Sequence, residues 1–394
     1  MREDPIAVKT ISVIKKTFRE YYFNQSNAIE EPVKIELREF GFMHFGQAGM
    51  LRHLSFKSMK ELYAMLVREA PSDVYCSNAY YQFPTQQPMQ EKLWLGADLI
   101  FDIDGKDLGM PCVPSHSYSV CIHCGYVSTP QQDEEERSSS YLCPSCGCKK
   151  ADHVSIPCSK CIDGSKKETR RLMDFLLADI GLERSAIEVY FSGNNGFHLK
   201  INDDACSSLD PQARSDLVGY LCGTGLMLEN IGVRKTSAGE GLFSIKFPKS
   251  GLAYGWRRRI AEKLKIGMTS ATKLKNIVNQ YGGYSGFKVE LERLARDMGV
   301  RVDPQVTTDV HRVFRMPGTL NSKSGLSKVK SRDLNSFDPF LDACLLGDGI
   351  ISVRVKTPVK LKLRRSSFNI SKESAELPAY AAVYLMCKGL AEAN

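Results

Sequence analysis

Nowhere in the 394 residues does an apolar run approach the ~18 that a membrane helix needs, which excludes a helical membrane span. The opening residues Met1, Arg2, Glu3 and Asp4 lack the character of a secretory leader, so we expect the chain in the cytoplasm or with the chromosome. No internal repeat is found, which excludes a solenoid. Low-complexity sequence is confined to "STPQQDEEERSSS" at 128–140, read as a solvated loop. Charge of one sign is in modest excess only. Against 45 Asp+Glu stand 53 Lys+Arg, and the net +8 fits a polyanionic partner without being extreme for this length. Acid is absent between Arg354 and Arg365, where six basic residues lie. There Lys360, Lys362 and Arg364 alternate with Val359, Leu361 and Leu363, a strand with one basic face that is either a solvated edge or a nucleic-acid-facing surface. Arg257, Arg258 and Arg259 form a second basic cluster. Hydrophobic content of 43% and charged content of 25% are those of a globular chain, long enough for one large or two ordinary domains.

Cysteine is abundant. Of 13, eight fall from Cys112 to Cys161, and outside an oxidising compartment this density points to metal before disulfides. Cys121-x₂-Cys124 and Cys143-x₂-Cys146 are separated by 18 residues, and Gly125 and Gly147 follow each pair, allowing the tight turns of a Zn²⁺ knuckle. Cys158-x₂-Cys161 with Cys112 needs a fourth ligand for a second tetrahedron. We take His153 for it, with His116 and Cys148 as competitors; four protein ligands leave no open position for chemistry. His123 lies inside the first knuckle as a spectator. The remaining Cys76, Cys206, Cys222, Cys344 and Cys387 are scattered and read as core residues.

The stretch "LIFDIDGKD" raises a different question. In a strand, Asp102 and Asp104 point the same way about 7 Å apart at Cα, while Phe101 and Ile103 point into the opposite layer. Two facing carboxylates are tolerated when a divalent cation sits between them, and hard oxygen ligands suit Mg²⁺ or Mn²⁺. Taken alone, the pair reads equally as two surface acids at a strand end.

Periodicity predicts a helix from Ile6 to Tyr22, a strand at Lys34–Leu37, a hairpin in "REFGFMHFGQAGMLRHLSF", and a helix from Ser58 to Arg68 capped by Ser58. Lys166 to Ile180 reads as an amphipathic helix ended by Gly181. "EVYFSGNNGFHLKI" is strand, turn, strand. From Asp203 to about Gly286 the pattern is helical and basic, strands return around Phe287 and at Val313–Arg315, and a helix from Pro378 to Leu390 closes the chain.

Four stretches taken together, "LIFDID", "YFSGNNGFHLKI", "RVDPQVTTDVHRVFRMPGTLNSKSGL" and "LPAYAAVYLMCKGLAE", resemble the small catalytic subunit of DNA primase of the archaeal and eukaryotic type, the archaeal form most closely. "RHLSF" at 52–56 and "PMQEKLWLGADL" at 88–99 extend the resemblance over most of the chain, in the family's order. It implies an α+β primase (prim) fold of mixed β-sheets flanked by helices, with a zinc-binding module and a helical insertion. On that basis, 1–205 and 287–345 form the two parts of the catalytic domain, 112–161 the zinc module within it, 206–286 the helical insertion, and 346–394 a basic strand region with the C-terminal helix.

The resemblance further implies a catalytic triad of Asp102, Asp104 and Asp303 holding two Mg²⁺ or Mn²⁺ ions, with Asp309 as competitor for the third place. It implies nucleotide contacts from Arg52, from Ser192, Gly193 and His198 in and after the turn, and from Arg315, Asn321 and Lys323 in the later loop. Relatives often carry basic residues at Asn194 and Asn195 and a histidine at Asn321, so this chain offers fewer ionic contacts there. The implied partners are a single-stranded DNA template, nucleoside triphosphates and a large primase subunit carrying an iron–sulfur cluster. No spare four-cysteine set remains here for such a cluster. Rival readings are a primase-polymerase of plasmid or repair type and a non-catalytic zinc-ribbon nucleic-acid-binding protein. The acids at 102, 104 and 303 speak against the latter, because a mere polyanion binder has no reason to cluster carboxylates.

Overall fold

Apolar alternation in Phe40–Met43 and in Asp73–Ser77 builds the centre of one four-stranded antiparallel sheet, in the order Val313–Arg315, Asp73–Ser77, Phe40–Met43, Met50–Leu54. A second sheet runs Val329–Lys330, Ile187–Phe191, Phe197–Ile201, Leu99–Ile103. The paired strands Phe197–Ile201 and Leu99–Ile103 are two-sided. Phe101 and Leu199 are fully buried on one face, where the rings of Phe191, Phe197 and Phe337 pack within 5.7–6.0 Å of one another. Asp102, His198 and Lys200 take the other face. The architecture is α+β, with several small antiparallel sheets and flanking helices. This computed structural model describes residues 5–128, 141–236, 242–247, 254–266, 270–371 and 374–394, so the segment at 129–140 of the loop expected at 128–140 lies outside the described residues.

The chain divides into two compact units. The first comprises Met1–Lys167, Glu188–Leu209 and Asp309–Asn394, and the second Glu168–Ile187 and Asp210–Thr308. No helix among the described residues is long and apolar enough to cross a membrane. The helix Met59–Glu69 starts where Ser58 accepts from the Glu61 N–H, as its sequence directs.

Several local expectations are corrected. Lys34–Leu37 is not a strand: Lys34 adopts φ +53° and Ile35–Leu37 form a 3₁₀ turn, because a four-residue alternation cannot override a left-handed residue at its start. Phe287 lies in the helix Gly283–Met298, where it is buried with Leu291, Leu294 and Ala295 at helical spacing. The helix expected from Lys166 begins earlier, as Ser159–Phe175, and ends in a π-turn over Leu176–Ile180 before left-handed Gly181. The last helix, Ala379–Cys387, stops at left-handed Gly389, which lets Ala391–Ala393 return as a strand against Ile350–Val355.

Within the second unit the arginine cluster is internal. Arg258 and Arg259 both pair with buried Asp179, Arg259 also meets Asp174 at 2.7 Å, and its guanidinium stacks 3.5 Å from the Phe175 ring centroid. That charge is therefore largely neutralised at home. By contrast Val359–Leu363 has the expected alternation, with Lys360 and Lys362 exposed and its three apolar residues buried.

Candidate active site and metal centres

In the second sheet Asp102 lies directly opposite His198, and His198 Nε2 is 3.3 Å from Asp102 Oδ1. Burial works against the charge of Asp102, but His198, Arg312 and Lys328 outweigh it and hold the carboxyl below its ordinary value. His198 is itself lowered, by burial first and then by the nearby cations Lys328 and Arg315, which together overcome the attraction of Asp102. The consistent state is an ionised Asp102 accepting from a neutral imidazole at Nε2. This leaves His198 Nδ1 as a buried atom without a partner.

Asp104 keeps extended backbone angles (φ −91°, ψ 125°), so the strand alternation carries past Ile103 and directs it to the same side as Asp102. Its carboxylate accepts from the Lys106 N–H and pairs with Lys106 Nζ at 3.1 Å. Two anionic oxygen donors on one face, one half-buried and one solvent-reachable, are a donor set suited to Mg²⁺ or Mn²⁺. Asp303 belongs to the second unit, and its carboxylate accepts from the Gln305 N–H at the start of Pro304–Thr308. Asp309 belongs to the first unit and accepts from the His311 N–H.

The turn from Ser192 to Gly196 sits hard against the aspartate strand. A Cβ on Gly196 would fall 2.1 Å from the Ile103 carbonyl oxygen, and one on Gly105 would fall 2.5 Å from that of Asn195, so both positions require glycine. Ser192 Oγ accepts from the N–H groups of Asn194 and Gly196. Gly193, at φ +89°, abuts Asn321, and its carbonyl accepts from Ser324 Oγ. The turn and the later loop thus form one ledge. Buried Asn321 accepts from the Lys323 N–H through its side chain, while Lys323 itself is exposed.

The two expected arginines are more committed. Arg315 pairs with Asp73 at 2.6 Å, donates to the Leu320 carbonyl, and stands beside the Tyr75 ring. Arg52 pairs at 2.8 Å with Glu39, which is fully buried and also held by the fully buried Lys92 at 3.0 Å; Arg52 Nη2 remains buried and unpaired. Sequence reasoning missed Glu39 and Lys92. It also missed Lys328, which is buried, donates to the Arg315 carbonyl at 2.9 Å, and is pushed down to about 7 chiefly by burial. Lys328 lines a cavity of about 210 Å³ between the two sheets together with His198, Lys200, Arg315, Glu30 and Glu188.

The cysteines gather into two sets. Cys121, Cys124, Cys143 and Cys146 have their ligand atoms within 4.8 Å of one another. The Cys121–Cys146 and Cys124–Cys143 sulfur separations are 3.6 and 3.5 Å. A Zn²⁺ tetrahedron with ~2.3 Å bonds has sulfur edges of about 3.8 Å, whereas a disulfide needs about 2.05 Å, so the set fits the metal. Gly125 and Gly147 are left-handed, and their N–H groups close the knuckles onto the Cys121 and Cys143 carbonyls. Backbone N–H groups, that of Cys124 foremost, lower the Cys121 thiol to about 6, toward the thiolate a metal requires.

The second set is Cys112, His116, Cys158 and Cys161. His116 Nε2 is 3.4 Å from Cys161 Sγ, and Cys112 Sγ is 3.4 Å from Cys161 Sγ. His153 is not in it: its Nδ1 pairs with Ser119 Oγ at 3.0 Å on the sheet formed by Ser117–Cys121 and Ala151–Ser155. Cys148 likewise lies outside, against the Lys150 carbonyl. The signal that favours His116 is its place four residues after Cys112, at the end of the single turn Val113–His116. Elemental analysis of the purified chain is expected to find close to two zinc ions. Fewer than one would contradict both sets.

Residues 152–333 match the family described as DNA primase small subunit. The DNA primase small subunit PriS of Nitrosopumilus maritimus strain SCM1 is 39% identical over 384 residues, covering 97% of this chain and 98% of the relative. That of Cenarchaeum symbiosum strain A is 38% identical over 386 residues, covering 98% and 99%. That of Methanothrix thermoacetophila is 30% identical over 433 residues, again covering 98% and 99%. Identity of 30–39% over nearly the full length of each chain places this one among the nucleotidyltransferases. It belongs to the DNA primase small subunit family.

Proposed function

We propose that this chain is the catalytic subunit that synthesises short RNA primers on single-stranded DNA, with two divalent cations held by Asp102, Asp104 and Asp303, as a nucleotidyltransferase of class EC 2.7.7. The observation that carries the reading is the ionised Asp102, fixed by His198 on the side of the strand Leu99–Ile103 to which the following residue, Asp104, is also directed. When bound, the cations lower the pKa of the attacking 3′-hydroxyl and stabilise the leaving oxygens of pyrophosphate. The chain's own residues supply the anionic cradle, the glycine turn with its backbone N–H groups, and the exposed Lys323 as an ionic contact to the triphosphate. Arg315, engaged with Asp73, shapes the later loop from behind, while Arg52 keeps one unpaired nitrogen available near Glu39. No protein nucleophile is required. Both zinc sets are structural in this reading, and the working partners are the large primase subunit, single-stranded DNA and nucleoside triphosphates in the cytoplasm or nucleoid.

Initiation from ribonucleotides on unprimed template, compared with extension of a primer by deoxynucleotides, tests the reading. Initiation identifies a primase; extension alone identifies a primase-polymerase of repair type. For the ledge, Lys323→Ala is expected to raise the KM for nucleotide on the order of tenfold, corresponding to ~1.5 kcal/mol or more of a charge-assisted contact. Steady-state elongation at varied nucleotide concentration measures it, and an unchanged KM removes Lys323 from the site.

A further inference from the structure

The turn Ser192–Gly196 contains no cation, yet one reaches it from the far end of the chain. Lys388 follows the helix Ala379–Cys387 and has its N–H on the Tyr384 carbonyl. Its stem is buried, its ammonium lies 5.6 Å from the Tyr384 ring centroid, and Nζ donates to Asn194 Oδ1 at 2.9 Å. An ammonium has three donors and no acceptor, so it can bind only the oxygen of an asparagine amide. That contact settles the orientation of Asn194, and its Nδ2 group must face away from Lys388. Among the described residues no hydrogen bond from Nδ2 of Asn194 is present, and the residue is half-buried at the turn surface. Asn195 is built the opposite way, with Nδ2 turned inward to Ser155 Oγ and Oδ1 buried without a partner.

We propose that Lys388 is a positioning residue that fixes Asn194 as a donor-only contact to the polyphosphate of the incoming nucleotide, opposite Lys323. The inference rests on the reading of this ledge as the triphosphate site. The ammonium also polarises the amide it binds, strengthening the outward N–H donors. Burial, followed by repulsion from Lys323 and opposed by the Cys387 thiol, lowers Lys388 to about 8, so it remains largely protonated at neutral pH. A buried lysine with one fixed acceptor thereby replaces a basic side chain in the turn itself.

The test is steady-state elongation with Lys388→Met, Asn194→Ala and their combination. Each single change is expected to raise the KM for nucleotide about three- to tenfold with kcat within about twofold, the scale of one net hydrogen bond. Because both act through one contact, the double variant should be no worse than the more severe single. Lys388→Arg should hold KM within about twofold, since the donor is kept. Asn194→Asp, which keeps the partner of Lys388 but turns a carboxylate oxygen toward the phosphates, should exceed Asn194→Ala. This last pair decides the matter if Lys388→Met does not fold, as judged by zinc content and template binding. An unchanged KM in folded Lys388→Met, multiplying effects in the double variant, or an Asn194→Asp enzyme with normal KM overturns the proposal. If Lys323→Ala raises KM while these variants do not, only this inference fails. If none of them changes KM, the triphosphate reading of the ledge fails with it.

Discussion

Replacing Asp102 with Asn is expected to lower nucleotide incorporation by roughly 10²–10³-fold or more, the scale on which removal of one electrostatic group at a reacting centre acts. The change preserves shape but removes the charge that His198, Arg312 and Lys328 stabilise. It also leaves an amide opposite a buried imidazole, a pair that still hydrogen-bonds, so the second sheet should hold. Binding of single-stranded template, proposed to use surface charge elsewhere, is expected to persist. Single-turnover incorporation with Mg²⁺ and with Mn²⁺, alongside binding of labelled single-stranded DNA, separates the two effects. Near-normal incorporation by Asp102→Asn would remove it from the catalytic centre.

The second large effect concerns stability. Cys158 and Cys161 bracket the first turn of the helix Ser159–Phe175, and their partners Cys112 and His116 sit on the segment that leaves the aspartate strand. A metal at this set ties the start of that helix to the catalytic sheet's neighbourhood. Cys158→Ser with Cys161→Ser should release one zinc and lower Tm by ~6–20 °C, from about 3–5 kcal/mol at ~2–4 °C per kcal/mol for a unit of this size. Cys143→Ser with Cys146→Ser should release the other zinc with a smaller loss. Excising 119–150 is the poorer experiment, because Ser117–Cys121 pairs along its whole length with Ala151–Ser155. Calorimetry paired with zinc analysis reads both. Equal destabilisation by the two double variants would contradict the assignment of the second set as the structural anchor.

What was legible in the sequence is what depends on short-range pattern. Strand alternation put Asp102 and Asp104 on one face, and the cysteine spacing with its glycines defined the first knuckle. Contacts between distant segments were not legible. Lys388 and Asn194 are 194 residues apart, and nothing in "CKGL" marks its lysine as the partner of a turn amide. Glu39 and Lys92 looked like ordinary charged residues until burial made each the other's necessity. Arg315 lies in its motif, but nothing in the sequence marks its ion pair with Asp73, on the neighbouring strand of the first sheet. From the sequence we take His153 over His116 as the fourth ligand, although His116 stands only four residues after Cys112. The sheet decided between them by pairing Ser119 with His153 in register.

De novo synthesis separates a primase from every rival. Labelled ribonucleotides and unprimed single-stranded DNA are supplied to the chain together with the large primase subunit proposed as its partner, as wild type and as Asp303→Asn. Short oligoribonucleotides that require Mg²⁺ or Mn²⁺ are expected from the wild type and none from the variant. Products in equal yield from Asp303→Asn, or none from the wild type, would contradict the primase reading.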